Sequence, residues 1–419
     1  MKKKKIIIIG AGIVGLSAAK ILSKNNNVTL VESSPNLGGF LNSIKFKNFD
    51  FDLGTHFLRE TNNDLLNNIL FKKIKKDWIN LKFLKSGNFY KKKIIEHNQF
   101  INLREEKKFF KILNEILKNK RKKNFKNEEE RCLLNYGKLV TNNIIKPIIK
   151  RYFNLELKNV PLNFTKKFGL NRFNIDDQKK IKKLKKEKKI LDDVLSYKYN
   201  YEGLNNKINF YPKHGGINNF VDYFVNKKIK VYIKSKLNKI IIKNNIITHV
   251  YINKKKISSD YIIWTAGTNA LREILNQKKE DILFSFFWEF IHIKSKQKFK
   301  SNCYYLNIHN DKNNIHRITI YKNLQSNSNN RITVETIKPN KVVTNDVIIK
   351  KFLKKINLIN KNQNIKILGK NSVKINILKK SKSKVKYPKN LIINDLNFKD
   401  ASSQEQKIEK LYYNIKKII

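Results

Sequence analysis

Near the start of the chain, Gly10-Ala11-Gly12-Ile13-Val14-Gly15 has the spacing of a loop that cradles a dinucleotide pyrophosphate. In such a loop Gly10 permits the tight turn, Gly12 lets the backbone approach the phosphates, and Gly15 lets a helix lie close to a strand. Glu32 follows Gly10 by 22 positions. A carboxylate at that distance accepts hydrogen bonds from ribose hydroxyls and disfavours a 2′-phosphate. Chemistry of this kind needs particular elements around it. The β-branched run Lys4 to Ile9 reads as a strand, the pattern through Leu16, Ala19 and Leu22 as a helix, and Val28 to Val31 as a second strand ending at Glu32. Phosphates would then sit at the positive end of the helix, on Ile13, Val14 and the glycines.

Two further glycine patches extend the series. Ser33-Ser34-Pro35-Asn36-Leu37-Gly38-Gly39 places a glycine pair just beyond the acid, and Phe49-Asp50-Phe51-Asp52-Leu53-Gly54-Thr55-His56-Phe57 forms a third patch. Together these motifs resemble the superfamily of FAD-dependent amine oxidases, protoporphyrinogen oxidases, carotenoid desaturases and UDP-galactopyranose mutases. The resemblance implies an α/β fold. It has a Rossmann-like FAD-binding domain of the glutathione-reductase type and a discontinuous α+β substrate domain. Ser33, Gly38 and Gly39 would serve the same bound FAD as the first loop, although Leu37 and Phe40 stand where the family usually has a basic residue. Gly54 and Thr55 would pass under the flavin ring with His56 facing it, which makes His56 the catalytic candidate. A satisfied structural histidine is the competing reading of His56, and a turn or cap residue that of Asp52.

Farther along, Tyr211-Pro212-Lys213-His214-Gly215-Gly216 precedes a helix and a strand, like the family's re-entry into the cofactor domain. The resemblance makes Leu237 the neighbour of the adenine. Tyr261 to Trp264 reads as a strand whose small-residue end, Thr265-Ala266-Gly267, would pass beneath the pyrophosphate at Ala266. Near the C-terminus Asn394-Asp395 stands where the family has Gly-Asp, so Asp395 would meet the ribitol or pyrophosphate region. A helix start follows at Asp400 to Glu405. The expected FAD-binding domain is therefore residues 1–60, 205–275 and 381–419. Residues 61–204 and 276–380 form the expected substrate lobe. Within that lobe the charged runs Arg104 to Arg131 and Asp176 to Asp193 read as solvated. Phe284 to Phe290 reads as core or pocket wall, and His316-Arg317 as either an anion contact or a solvated sheet edge.

The chain has 419 residues, is 40% hydrophobic and carries a formal net charge of +57, with nine arginines against 81 lysines. That apolar content supports a packed core and excludes global disorder. Lysine in such excess over the bidentate guanidinium fits a solvated surface better than a nucleic-acid reader, so no specific nucleic-acid partner is expected. Peripheral contact with an anionic membrane is a minor expectation. Two cysteines 171 residues apart make neither a disulfide framework nor a zinc site, which suits a reducing, cytoplasmic setting; no metal site is expected. The basic start followed by Ile6 to Ala19 imitates a signal peptide, but the dinucleotide motif embedded in it favours a folded domain. Glycine is scarce, and eight of the 14 (10, 12, 15, 38, 39, 54, 215 and 216) fall in four of these patches, with Gly267 ending a fifth.

The expected activity is hydride transfer from a small-molecule substrate, such as an amine, to flavin N5. One alternative is redox-neutral flavin chemistry on a nucleotide sugar or lipid-linked intermediate, as in the mutases. The other is a non-catalytic polyanion binder.

Overall fold

The computed structural model describes residues 2–96, 98–118, 124–197, 207–309, 311–325, 329–379, 386–394 and 403–418. The chain divides into two compact units. Met1–Leu81, Lys207–Leu283 and Ile377–Ile419 form the first; Lys82–Asn206 and Phe284–Asn376 form the second.

The first unit is built on five parallel strands in the order β10(Ile229–Tyr232), β2(Asn27–Val31), β1(Lys5–Ile9), β14(Tyr261–Trp264) and β20(Leu391–Ile393). Parallel sheets of this kind are covered on both faces, which is why β1 is a continuous isoleucine run with no polar alternation. Ile7 and Ile9 pack with Leu237, Ile247, Val250 and Ile252 beneath an antiparallel meander. The meander is β11(Leu237–Lys243), β12(Ile246–Ile252) and β13(Lys255–Ser258). Its first turn is Asn244-Asn245, both at positive φ, the backbone a two-residue hairpin needs. Helix α1(Ile13–Leu22) packs against α2(Asp64–Asp77), α7(Phe220–Phe224) and α11(Gln404–Ile415). Asn63 caps α2 by accepting the Leu66 N–H, and Ser403 with Gln406 forms a capping box on α11. Residues 61–81, expected with the second lobe, lie in this unit, because α2 buries Leu66, Leu70, Phe71 and Ile74 as one apolar stripe.

Two small sheets complete the first unit: the hairpin β3(Ser43–Phe46)–β4(Phe49–Asp52), and β9(Asn209–Tyr211) between β5(Leu58–Arg59) and β6(Ile79–Leu81). The strand order of the main sheet reverses at β1, whose neighbours are β2 on one side and β14 on the other. Ligands of open α/β sheets bind at such a reversal, beyond the carboxyl ends of the strands.

The second unit is a seven-stranded sheet, β19(Ile365–Leu378), β15(Ile282–Ser295), β18(Arg331–Lys338), β17(Ile315–Ile320), β16(Tyr305–Ile308), β7(Ser86–Tyr90) and β8(Lys93–Ile95). Ile291, Ile293, Ile318, Ile320 and Val334 bury against Ile349, Phe352 and Leu353 of α10(Asp346–Lys355). Phe284, Phe286 and Trp288 of β15 meet Phe153, Phe164 and Phe168 edge to face or tilted, so this aromatic run is packed core. Strand β17 is interior to the sheet, which overturns the solvated-edge reading of His316-Arg317. Nor are the charged runs wholly solvated. Arg131 is buried and binds Glu128 through Nε and Nη2, each at 2.8 Å. Lys185 is buried with its ammonium on Asp192 and on the carbonyls of Leu195, Ser196 and Tyr197. A buried charge with a full set of partners is tolerated where an unpaired one is not, and composition alone does not distinguish the two.

Candidate nucleotide site

The glycine loop sits at the sheet reversal and its geometry explains each glycine separately. Gly10 has φ +98°, and its N–H donates to the Val31 carbonyl at 2.9 Å. A Cβ on Gly15 would lie 1.9 Å from the Gly10 carbonyl oxygen, so helix α1 meets the loop at a distance only glycine allows. Thr265, at the end of β14, is wedged between them. Its hydroxyl lies 2.9 Å from the Ile9 carbonyl and 3.0 Å from that of Gly10, and a Cβ on Gly10 or Gly15 would meet it at 2.8 Å. Ala266 follows at the same edge, its N–H 3.1 Å from where a Gly10 Cβ would stand.

Gly12 differs from its neighbours. Its backbone is extended and a Cβ there would meet nothing within 4 Å. Gly12 is also the N-cap of α1 and offers no side-chain cap. Ile13 and Val14 open the helix behind it, so its first N–H groups face this open space. Helix N-termini of this kind bind phosphate through backbone N–H groups and the helix dipole.

The second glycine pair packs on the first loop. Gly38 donates its N–H to the Ala11 carbonyl at 2.8 Å and forms a parallel bridge with Gly12. Both glycines of the pair have positive φ, and a Cβ on Gly39 would stand 3.0 Å from the Gly12 Cα. Glu32 clamps the two segments. One carboxylate oxygen accepts the Ala11 N–H and the other the Ser34 N–H, each at 2.8 Å, with the Ser33 hydroxyl at 3.3 Å. Oε1 accepts from both serines, while Oε2 accepts only the Ala11 N–H and has a second lone pair, so the clamp keeps acceptor capacity for a ribose hydroxyl. Leu237, the first residue of β11 in the meander, is buried in the core cluster with Ile7, Ile9 and Val31. Two bonds, from the Ser235 N–H to the Glu32 carbonyl and from the Lys234 N–H to that of Ser34, tie the approach to β11 onto the acid's segment.

In the third patch Gly54 has φ +99°. Thr55 and His56 are half-buried after it. The His56 Nε2 lies 2.8 Å from the Leu53 carbonyl, and since a carbonyl only accepts, that nitrogen carries the proton. Asp52 is a buried joint. Its Oδ1 accepts from the Ser43 hydroxyl at 2.7 Å and the Ile217 N–H at 2.9 Å, and its Oδ2 accepts from the Tyr211 hydroxyl at 2.6 Å. The neighbouring hairpin strand and the distant 211–217 segment thus converge on one carboxylate, which gives Asp52 the cap-like role. A Cβ on Gly216 would stand 2.1 Å from the Ser43 hydroxyl, so the Gly215-Gly216 turn is glycine for the same convergence. Asp395 lies outside the described residues.

The motifs that contain Tyr211 and Thr265 give these residues no role of their own, and Ser43 lies outside them. Thr265 carries a local signal, a hydroxyl at the end of a strand that must flank the glycine loop; Ser43 faces Asp52 across the β3–β4 hairpin, while the Tyr211 contact depends on tertiary placement.

No ligand-binding group is assigned to the second unit by these motifs. Within the first, the open space over Gly12, the uncapped start of α1 and the glycine-on-glycine contact fit a dinucleotide pyrophosphate.

Comparison with known proteins agrees with this geometry. Residues 8–72 match the family described as the NAD(P)-binding Rossmann-like domain. Over 51 residues the chain is 47% identical to a 4,4'-diapophytoene desaturase (4,4'-diaponeurosporene-forming) of Staphylococcus aureus, covering 12% of this chain and 10% of that protein. The chain thus spans about a tenth of the length of the curated relatives it matches. Among solved structures, a reduced UDP-galactopyranose mutase superposes with a TM-score of 0.65 at 17% identity, covering 89% of this chain and 83% of that one. A putative protoporphyrinogen oxidase from Exiguobacterium sp. 255-15 superposes with a TM-score of 0.65 at 11% identity, covering 100% and 99%. At these identities the likeness is one of fold. The chain shares its fold with these two proteins, and the matched residues 8–72, a Rossmann-like nucleotide-binding segment, lie in its first unit.

Proposed function

We propose that the protein is an FAD-dependent oxidoreductase that moves hydride from a small-molecule substrate to the flavin. The observation that carries this reading is the packing of Gly38-Gly39 directly on Gly12, beside a space that no Cβ obstructs. A single glycine loop serves any dinucleotide; a second glycine pair folded onto it supports FAD.

When bound, FAD supplies the hydride acceptor at N5. The chain's own residues bind and orient it. The N–H groups at the start of α1 hold the pyrophosphate, and Glu32 holds the ribose while it clamps Ala11 to Ser34. Gly54 and Thr55 give the flavin end a backbone surface without bulk. His56 positions that segment through its bond to the Leu53 carbonyl and is the catalytic candidate. Leu237 serves the adenine side.

One observation favours a second reading. The Asp52-Leu53-Gly54-Thr55-His56 segment, held rigid by the Asp52 joint, resembles that of the mutases, so the substrate class includes nucleotide sugars or lipid-linked intermediates as well as amines. Anaerobic titration separates the readings. An amine or alcohol that bleaches the flavin supports hydride transfer; turnover of a nucleotide sugar only after dithionite reduction supports the mutase. No helix among the described residues is long and apolar enough to cross a membrane. We place the protein in the cytoplasm, with its lysine-rich surface able to dock on an anionic leaflet.

A further inference from the structure

We propose that the second unit holds a binding site for a small organic anion, its carboxylate or phosphate received by Arg317 and His316 beneath a rim of Lys166, Lys167 and Arg172. The site lies wholly within that unit and does not rest on the flavin reading, so either can fail without the other.

A cavity of about 290 Å³ opens on the sheet face of β16 and β17, and no carboxylate is among its lining residues. Its size is that of a small metabolite. Neighbouring residues on a strand normally point to opposite faces, yet His316 and Arg317 both line this cavity. The cause is a bulge. Ile315 pairs with Thr336 and Arg317 with Glu335, leaving His316 as the extra residue. Bulges re-aim side chains in this way and are frequent beside functional sites. Asn307, directly across from Arg317 on β16, joins the same lining.

Arg317 is held rather than used up. Its Nε and Nη2 bind the two oxygens of Glu335 at 2.9 and 3.0 Å, and the Trp288 indole N–H binds the same carboxylate at 3.0 Å. Nη1 has no hydrogen-bond partner among the described residues, and a guanidinium fixed at two nitrogens presents the third without loss of rotamer freedom. His316 is 4% exposed, and among the described residues neither of its ring nitrogens has a hydrogen-bond partner. Tyr152, Phe168 and Trp288 wall it edge to face at 5.7 to 5.8 Å. A buried polar ring without a partner costs stability, and a ligand in the cavity supplies the missing bond. Burial holds the imidazole neutral down to about pH 3, so the ring serves as a hydrogen-bond group and the cations of the rim supply the charge.

The test uses the full-length protein at fixed ionic strength, titrated with sodium phosphate and, separately, sodium benzoate against a sodium chloride control. Binding is read by calorimetry and by the fluorescence of Trp288, one of three tryptophans in the chain. The site predicts saturable binding of at least one of the two probes, with the tighter one naming the anionic group. H316F keeps the aromatic wall and R317K keeps the charge opposite Glu335. Each is expected to weaken binding roughly ten-fold or more while the protein stays folded by circular dichroism. The lysine pair K166Q/K167Q, on the rim, gives a variant that leaves the buried network intact, with weakening in the same direction. No saturable binding of either probe, or binding unchanged in H316F, R317K and K166Q/K167Q, overturns the proposal; the latter result is what diffuse attraction to a chain of net charge +57 would give.

Discussion

Gly12 and Gly15 are the same residue type three positions apart, yet they answer to different constraints. Gly15 is required by the fold, since a Cβ would collide with the Gly10 carbonyl oxygen at 1.9 Å. Gly12 is open to a Cβ in the protein alone, and its extended backbone suits any residue. G15A is therefore expected to lower stability by about 2–4 kcal/mol, in the range of an overpacked core. G12A should leave thermal unfolding nearly unchanged while abolishing retained flavin, because the methyl group occupies the space a pyrophosphate needs. Thermal unfolding and visible absorbance on the same two variants separate the effects, and a G12A protein that still holds flavin would contradict the role given to that glycine. Asp52 belongs to the first kind of constraint. D52A leaves the Ser43 and Tyr211 hydroxyls and the Ile217 N–H without their acceptor, a loss of about 3–5 kcal/mol. Y211F removes one bond to the carboxylate and costs about 1.5–3 kcal/mol. Urea unfolding of the two variants checks the order.

The glycine loop, its strand and its helix were legible because their requirements are local: φ above zero at Gly10, no Cβ at Gly15, an acid one strand later. The capped start of α11 and the strand Tyr261–Trp264 were readable for the same reason. The cavity of the second unit was not. It draws on four stretches of chain, and the bulge at His316 breaks the alternation by which strand faces are read. Arg131 and Lys185 sit in basic runs that resemble solvated surface, and only tertiary placement supplies their buried partners. The sheet of this unit also carries a pH dependence. Burial lowers His292 and His309 to about 4 and His316 to about 3, from an ordinary 6.5. Between those values the unfolded chain binds protons that the folded chain refuses, so stability is fully present above about pH 6.5 and is lost as pH falls through the folded values. Each histidine contributes about 1.4 kcal/mol per pH unit within that window. Wild type and H316F, compared by urea midpoint from neutral pH downward, should diverge in slope, with H316F the flatter; parallel slopes would mean that His316 is not buried neutral.

At the level of the whole chain, the +57 charge and the scarcity of glycine pull in different directions. The charge is spread over 81 lysines and bears on where the protein resides more than on what it does. It predicts co-sedimentation with phosphatidylserine vesicles at low salt and release as salt is raised, with little binding to neutral vesicles. Equal binding to neutral and anionic vesicles would remove the membrane reading and leave the chemistry untouched. The glycines bear on the chemistry, since the first loop and the Gly38-Gly39 pair pack on each other at one end of the parallel sheet. The most direct measurement is the visible spectrum of the purified protein, taken as isolated and after incubation with FAD and gel filtration. A flavin spectrum that bleaches with dithionite and is absent in G12A is the expected result. A colourless protein that retains no FAD after incubation would contradict the assignment of the site.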